Sequence, residues 1–401
     1  MCVTNRHIFV ICICYFFSHL CRRNAMIAVG QGHSMFLDIN GIIWVCGSNE
    51  YGQLGLGHTE NITQTEKIQE IPTIQSVSSA NFHSVFIDID GYAWTCGKNE
   101  SGQLGLGDFN NRSQPEKIQN LSKIQAVSAG YSHSLFLDVE GNVWVCGKNI
   151  YGQLGLGEDC SPRTLAEQIT DIPKIQSIFA GFNHSLFLDV DGCVWACGNN
   201  GNGRLGLESS SSTATISYNK PEKIQNIPAI QSIAVGWVHS VFLDVDGNIW
   251  VCGNNEYGQL GLSDTSMSVS QPEMVQNISK IQSVYAAYYH SIFIDVDGHV
   301  WVCGCNKYGH LGFVSPSETT SESILLQKLD NLPFIQSIST LYHSIFLDVD
   351  GCVWACGKNT TEQLALGDAV DRKEPEKIAN LPPIARKRTF RVKSARKVVP
   401  V

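Results

Sequence analysis

Short runs of alternating apolar and polar residues recur along this chain, and one run returns seven times. In one copy, residues 123–130 read as a strand, and His133-Ser134-Leu135-Phe136-Leu137-Asp138-Val139 reads as a second. Asn142-Val143-Trp144-Val145-Cys146-Gly147 is a third, entered through Glu140-Gly141. A period of two places successive side chains on opposite faces, so these runs predict half-buried β-strands. In five other copies the turn is Asp-Gly (Asp90-Gly91, Asp191-Gly192, Asp246-Gly247, Asp297-Gly298, Asp350-Gly351), and in the first it is Asn40-Gly41. Such pairs predict two-residue hairpins with positive φ. The segment Tyr151–Gly157 is too glycine-rich for a strand. A Pro-Glu-Lys-Ile piece at 115–118, 221–224 and 375–378 supplies a short fourth strand.

The period is set by tryptophan. Trp44, Trp94, Trp144, Trp195, Trp250, Trp301 and Trp354 are separated by 50, 50, 51, 55, 51 and 53 residues, each inside Trp-x-Cys-Gly. One such unit cannot bury its apolar face alone, so neighbours must stack. Four antiparallel strands per unit, seven times over, predict an all-β, seven-bladed β-propeller. The first copy starts at Ile27 without a leading Ile-Pro-x-Ile-Gln-Ser, and the last runs on to Ile384. Strands from the two termini are therefore expected to share a blade, closing the ring and removing exposed edges.

The full pattern, Gly-x-x-His-Ser-x-Phe-Leu-Asp-x-x-Gly-x-x-Trp-x-Cys-Gly-x-Asn-x-x-Gly-Gln-Leu-Gly-Leu-Gly, resembles the regulator of chromosome condensation (RCC) repeat over residues 27–384. The resemblance implies a seven-bladed propeller. The family's founding member is a nucleotide exchange factor for the small GTPase Ran, bound to chromatin. Other members are ubiquitin-ligase modules, GTPase regulators, a plant ultraviolet receptor and scaffolds. Fold is implied more narrowly than activity. The family's exchange residues lie outside the repeat consensus, so no catalytic residue is carried over.

Charge divides the chain. Of 28 basic residues, seven lie in the tail (Arg386, Lys387, Arg388, Arg391, Lys393, Arg396, Lys397) and three in residues 1–25. The body keeps 18 against 37 acidic residues, a net charge of about −19. Such a body repels phosphate backbones, so nucleic-acid or chromatin contact is expected only through the tail, if at all. The organisation is then an apolar extension (1–25), the propeller (26–385) and a basic tail (386–401) that reads as a localisation segment or a solvated end. Ile8–Leu20 is an apolar run of 13 residues, too short to span a bilayer, and Cys21-Arg22-Arg23-Asn24 is no small-residue cleavage site. Translation starting at Met26 and membrane association are both open for this extension.

Seven of the 15 cysteines occupy the Trp-x-Cys-Gly position, on the same strand face as the tryptophan. They are expected to be free and packed as small apolar groups, which favours cytoplasm or nucleus over secretion. The C-x3-C pairs Cys193/Cys197 and Cys352/Cys356 fall within single strands and are expected to bind no metal. A histidine in each copy (His33, His83, His133, His184, His239, His290, His343) is expected to be structural, with a ring nitrogen on a backbone carbonyl. Gly201-Asn202-Gly203-Arg204-Leu205-Gly206 matches a dinucleotide fingerprint but lacks the strand and helix that fingerprint needs, so no cofactor is expected. The Asp-x-Asp-Gly strings lack the closing glutamate of a calcium loop. Gly236-Trp237-Val238-His239-Ser240 is similar to the Gly-Trp-Arg-His-Thr motif of the ultraviolet receptor, in one blade and without its arginine.

Departures from the repeat mark candidate partner-binding positions, because a rigid scaffold carries function on its loops. These are Arg204, Tyr285, Tyr288, Tyr289, Lys307, His310 and Phe313, with the irregular connections 208–220, 263–271 and 313–330. The function expected is binding of a protein partner through loops on one face, by a monomer without catalytic chemistry or a small-molecule substrate. The alternatives are guanine nucleotide exchange on a Ran-like small GTPase and substrate recognition within a ubiquitin ligase complex.

Overall fold

A computed structural model describes residues 26–207, 217–263, 266–314 and 323–384. Seven four-stranded antiparallel sheets occupy 27–67, 74–117, 124–168, 175–223, 230–274, 281–329 and 335–377. Within each sheet the strands lie side by side in chain order, first strand innermost and fourth outermost. In the first blade these are β1 (Ile27–Val29), β2 (His33–Leu37), β3 (Ile43–Gly47) and β4 (Ile62–Lys67).

Ring closure takes place inside one strand. In the second to seventh blades an isoleucine (Ile74, Ile124, Ile175, Ile230, Ile281, Ile335) pairs with the aspartate that ends the second strand. In the first blade Ile384 takes that place by bridging to Asp38, and Ile39 N–H donates to Pro383 O at 3.2 Å. Met26 to Val29 then continue the same innermost strand from the other end of the chain. The two termini thus share the first blade, each supplying half of one strand.

The apolar core lies between blades. Leu135, Leu137, Val143 and Val145 of the third blade pack with Phe187 and Cys197 of the fourth, and Trp195 covers the edge of that layer. The equivalent phenylalanines Phe36, Phe86, Phe136, Phe187, Phe242, Phe293 and Phe346 are all 0% exposed. Tryptophan and cysteine two residues apart do share a face, as Trp94 and Cys96 do in one cluster.

Polar seams run beneath this layer. Ser134 Oγ donates to Gln103 O of the preceding blade at 2.7 Å, and Cys146 Sγ points its thiol to the same carbonyl at 3.4 Å. His83 Nε2 lies 2.9 Å from that serine oxygen. The single hydroxyl proton is committed to the carbonyl, so the histidine donates from Nε2, and burial keeps the ring neutral. The expected histidine–carbonyl bond is therefore mediated by a hydroxyl of the next blade. His133–Ser185, His239–Ser291 and His343–Ser34 repeat the contact at 3.0, 2.9 and 2.7 Å. Burial drives the pKa of His33, His133, His239 and His343 down to about 3 and that of His83 to about 4. It also pushes the thiols of Cys46 and Cys303 up to about 12, which makes them inert. None of the eleven cysteines among the described residues is in a disulfide.

The hairpins differ from the expected two-residue form. Gly141 N–H donates to Asp138 O at 3.1 Å, and Gly141 alone in the turn has positive φ, 81°. Asp138 Oδ1 accepts the N–H groups of Glu140 and Asn142, and its Oδ2 accepts Trp144 Nε1–H at 3.1 Å. A carboxylate two residues before the Asp/Glu-Gly pair thus widens the loop and ties it to the tryptophan. Burial pushes such carboxyls up, but these hydrogen bonds outweigh it and hold Asp138 and Asp244 below the usual range.

Candidate functional site

Two unlike surfaces cap the ring. The hairpin face carries the turns between second and third strands, and its tips repeat from blade to blade. Ile39, Ile89, Val139, Val190, Val245, Val296 and Val349 stand 49 to 62% exposed there, each followed by an exposed Asp, Glu or Asn. The loop face carries the first-to-second and third-to-fourth connections, where the sequence varies.

The first-to-second loops meet around the central axis. Their middle position reads Gln31, Asn81, Tyr131, Phe182, Trp237 and Tyr288 in the first six blades. The consecutive aromatics close into one half-buried patch. Tyr131 lies 4.2 Å from Phe182 between ring centroids, Phe182 stacks on Trp237 at 4.4 Å, and Trp237 meets Tyr288 edge-on at 4.0 Å. Tyr342 of the seventh blade joins at 4.8 Å from Tyr288, and Tyr289 at 4.3 Å from the same ring. Beneath the patch is an axial cavity of about 140 Å³ lined by small residues such as Ala80, Ala129, Ala180 and Ala286.

In the fifth blade the residue before this position must be glycine, whereas Ala80 and Ala287 hold the same place in the second and sixth. A Cβ on Gly236 would fall 2.3 Å from His239 Cε1 and 2.4 Å from Ala287 O, so the buried histidine presses the loop close and turns Trp237 outward. Burial pushes the phenols of Tyr289 and Tyr342 up.

The candidate positions divide between this patch and its supports. Tyr288 and Tyr289 belong to it. Lys307 is exposed at its edge, with Nζ 5.5 Å from the Tyr308 ring centroid. Arg204 is only 8% exposed: its Nε donates to Gly201 O at 2.9 Å and its Nη1 to Trp237 O at 2.8 Å. It clasps the fourth blade to the loop that carries Trp237, and burial lowers its pKa to about 10. His310 is 3% exposed beside His290, at a centroid distance of 4.3 Å, and burial lowers its pKa to about 4. Tyr285 and Phe313 pack on the core between the sixth and seventh blades, away from the patch. The tail candidates Arg386, Lys387, Arg388, Arg391, Lys393, Arg396 and Lys397 lie outside the described residues, as do 208–216 and 315–322 of the irregular connections.

Two chemical motifs find structural uses. Gly201–Gly203 form a single 3-10 turn, and Arg204–Leu207 directly after it are not helical. Asp295, Asp297 and His299 bring ligand-type atoms within 4.8 Å of one another. Asp295 is already bonded there by the Asp297 and His299 N–H groups, Trp301 Nε1–H and Ser279 Oγ–H, so its carboxylate anchors the turn as in the other blades.

Comparison with known proteins fits this architecture. The pattern described as the RCC1-like domain matches residues 162–397, and RCC1 repeats match 40–87 and 90–137. The chain belongs to the RCC1-like domain family. A probable E3 ubiquitin-protein ligase, HERC4 of Rattus norvegicus, is 31% identical over 212 residues, covering 52% of this chain and 19% of the ligase. The ultraviolet-B receptor UVR8 of Arabidopsis thaliana is 29% identical over 212 residues, covering 51% of this chain and 46% of the receptor. The chain thus spans about a fifth of the ligase and under half of the receptor. Among solved structures, Prp20p from Saccharomyces cerevisiae, described with its binding to Gsp1p and histones, superposes with a TM-score of 0.76. Its identity is 23%, over 86% of this chain and 88% of that one. Human WBSCR16 gives 0.74 at 22% identity, over 84% and 94%. At these identities the structural likeness concerns fold. No helix among the described residues is long and apolar enough to cross a membrane.

For an RCC1-like propeller, the patch was partly visible beforehand. Reading one column down the repeats, the residue after the glycine of Gly-x-x-His-Ser, finds Tyr131 and Phe182, which inspection of single blades passes over.

Proposed function

We propose that this chain is a protein-binding propeller that holds its partner on the loop face, as a monomer. The observation that carries the reading is the aromatic patch of Tyr131, Phe182, Trp237, Tyr288 and Tyr342, half-exposed on a rigid ring. Aromatic clusters of this kind are the usual energetic centres of protein interfaces. The hairpin face offers aliphatic tips of uniform chemistry and no such cluster. Guanine nucleotide exchange on a Ran-like GTPase is the second reading, favoured by family membership and the acidic body. Substrate recognition beside a ubiquitin ligase is the third, suggested by the HERC4 likeness. The basic segment 386–397 serves in this reading as a nuclear-localisation segment.

The test is release of a fluorescent GDP analogue from Ran and a panel of other small GTPases, run beside affinity capture with the wild type and a Trp237→Ala/Tyr288→Ala variant. Acceleration by orders of magnitude on one GTPase establishes exchange. No acceleration, with partners captured by the wild type and lost by the variant, establishes a binding scaffold. Partners retained by the folded variant remove the loop-face reading.

A further inference from the structure

The cations around the patch indicate the chemistry of what binds there, an inference that rests on the loop face being the docking surface. On a body with a large excess of acid, four lysines lie against aromatic rings of this face. Lys98 Nζ is 4.6 Å from the Tyr51 centroid and Lys148 Nζ is 5.8 Å from Tyr151. Lys307 Nζ is 5.5 Å from Tyr308, and Lys358 Nζ is 5.6 Å from Tyr308 and 5.7 Å from Tyr342. Lys98 also pairs with Glu100 at 3.0 Å, whereas Lys148, Lys307 and Lys358 have no carboxylate partner among the described residues. Burial without a counter-ion holds Lys148 below the usual lysine range. The first-to-second loops that carry the patch contain no charged residue in any blade. Acidic side chains share the face: Glu50, Glu100 and Glu256 are exposed on its third-to-fourth connections, with Glu256 adding to the burial that raises the Tyr289 phenol, and Glu60, Glu158 and Asp371 are exposed towards its outer edge.

We propose that the loop face accepts an acidic peptide segment of its partner, with an aromatic or aliphatic anchor on the Trp237 cluster and flanking carboxylates on Lys148, Lys307 and Lys358. Unpaired cations beside a desolvating aromatic surface favour carboxylates through charge-assisted contacts. A nucleic-acid strand would supply anions too, but its phosphates continue across the acidic outer edge, where they are repelled. A short acidic motif ends before it.

The test is fluorescence anisotropy on the full chain with three labelled probes: an eight-residue peptide of aspartate and glutamate around a central Leu-Phe pair, its lysine/arginine counterpart, and single-stranded oligo(dT). The acidic peptide is expected to bind at least about tenfold more tightly than the other two, and to weaken as salt is raised. Its binding is expected to fall at least about tenfold in a Lys148→Glu/Lys307→Glu/Lys358→Glu variant, and by less in the matching glutamine variant, which guards against misfolding. Preference for the basic peptide or the oligonucleotide, absence of acidic-peptide binding, or unchanged binding in both folded variants overturns the proposal. If the acidic peptide fails while Trp237→Ala/Tyr288→Ala still abolishes partner capture, the docking reading stands and only the acidic motif is removed.

Discussion

The two faces of the ring are built from the same repeat yet follow opposite rules. On the hairpin face every blade repeats one device: a carboxylate bonded to two backbone N–H groups and a tryptophan, with an aliphatic residue at the tip. On the loop face the structural residues, His and Ser, sit one step beneath the surface, and the positions above them are free to differ. Blades three to six place aromatics two residues before the histidine, where the first two place Gln31 and Asn81, and the seventh adds Tyr342 from the next position. Repetition thus marks what holds blades together, and departure from it marks where this propeller is individual.

The largest expected effect breaks the shared framework under both faces. His33, His83, His133, His239 and His343 are held neutral, with folded pKa values of about 3 to 4 against an unfolded value near 6.5. Below pH ~6.5 the unfolded chain therefore binds protons that the folded chain refuses. Stability is full above that value and falls as pH drops towards 4, by at most about 1.4 kcal/mol per pH unit for each histidine. Thermal melting at pH 7.5, 5.5 and 4.5 checks this, and an unchanged midpoint would contradict the neutral relay.

Next in size, Trp250→Ala should lower stability by about 3 kcal/mol, read as a shifted urea midpoint, because Trp250 covers the core between the fourth and fifth blades. Trp237→Ala separates the two kinds of tryptophan. It should leave the urea midpoint nearly unchanged and weaken partner binding about thirtyfold (~2 kcal/mol), measured by calorimetry on the captured partner. Arg204→Gln restores the residue found at Gln53, Gln103, Gln153, Gln259 and Gln363 and removes the clasp on Trp237 O. A loss of about fivefold in the same binding measurement is expected, with the fold retained. The smallest effect belongs to the hairpin face: Val190→Asp should alter stability by under about 0.5 kcal/mol and leave partner binding unchanged. A large binding defect in that variant would transfer the site to the other face.

Much of this was open to reading before any coordinates. The tryptophan spacing implied seven blades, and the truncated first copy implied closure by both termini, which Ile384 and Met26 to Val29 carry out. The form of the hairpin loop is not legible locally, because Asp-Gly alone does not reveal that the aspartate two positions earlier accepts the turn's N–H groups. Arg204 and His310 stood out as departures from the repeat. Their burial depends on the neighbouring blade's loop, which no single repeat contains.

Local alternation, the Trp-x-Cys-Gly frame and the glycine positions by themselves determined the strands, their number per blade and the count of blades, since each is a short-range property repeated at a fixed step. Only the tertiary structure decided which side chains became a surface. Tyr131, Phe182, Trp237, Tyr288 and Tyr342 are separated by roughly one repeat each, and closing the ring turns that separation along the chain into ring contacts of 4 to 5 Å around one axis.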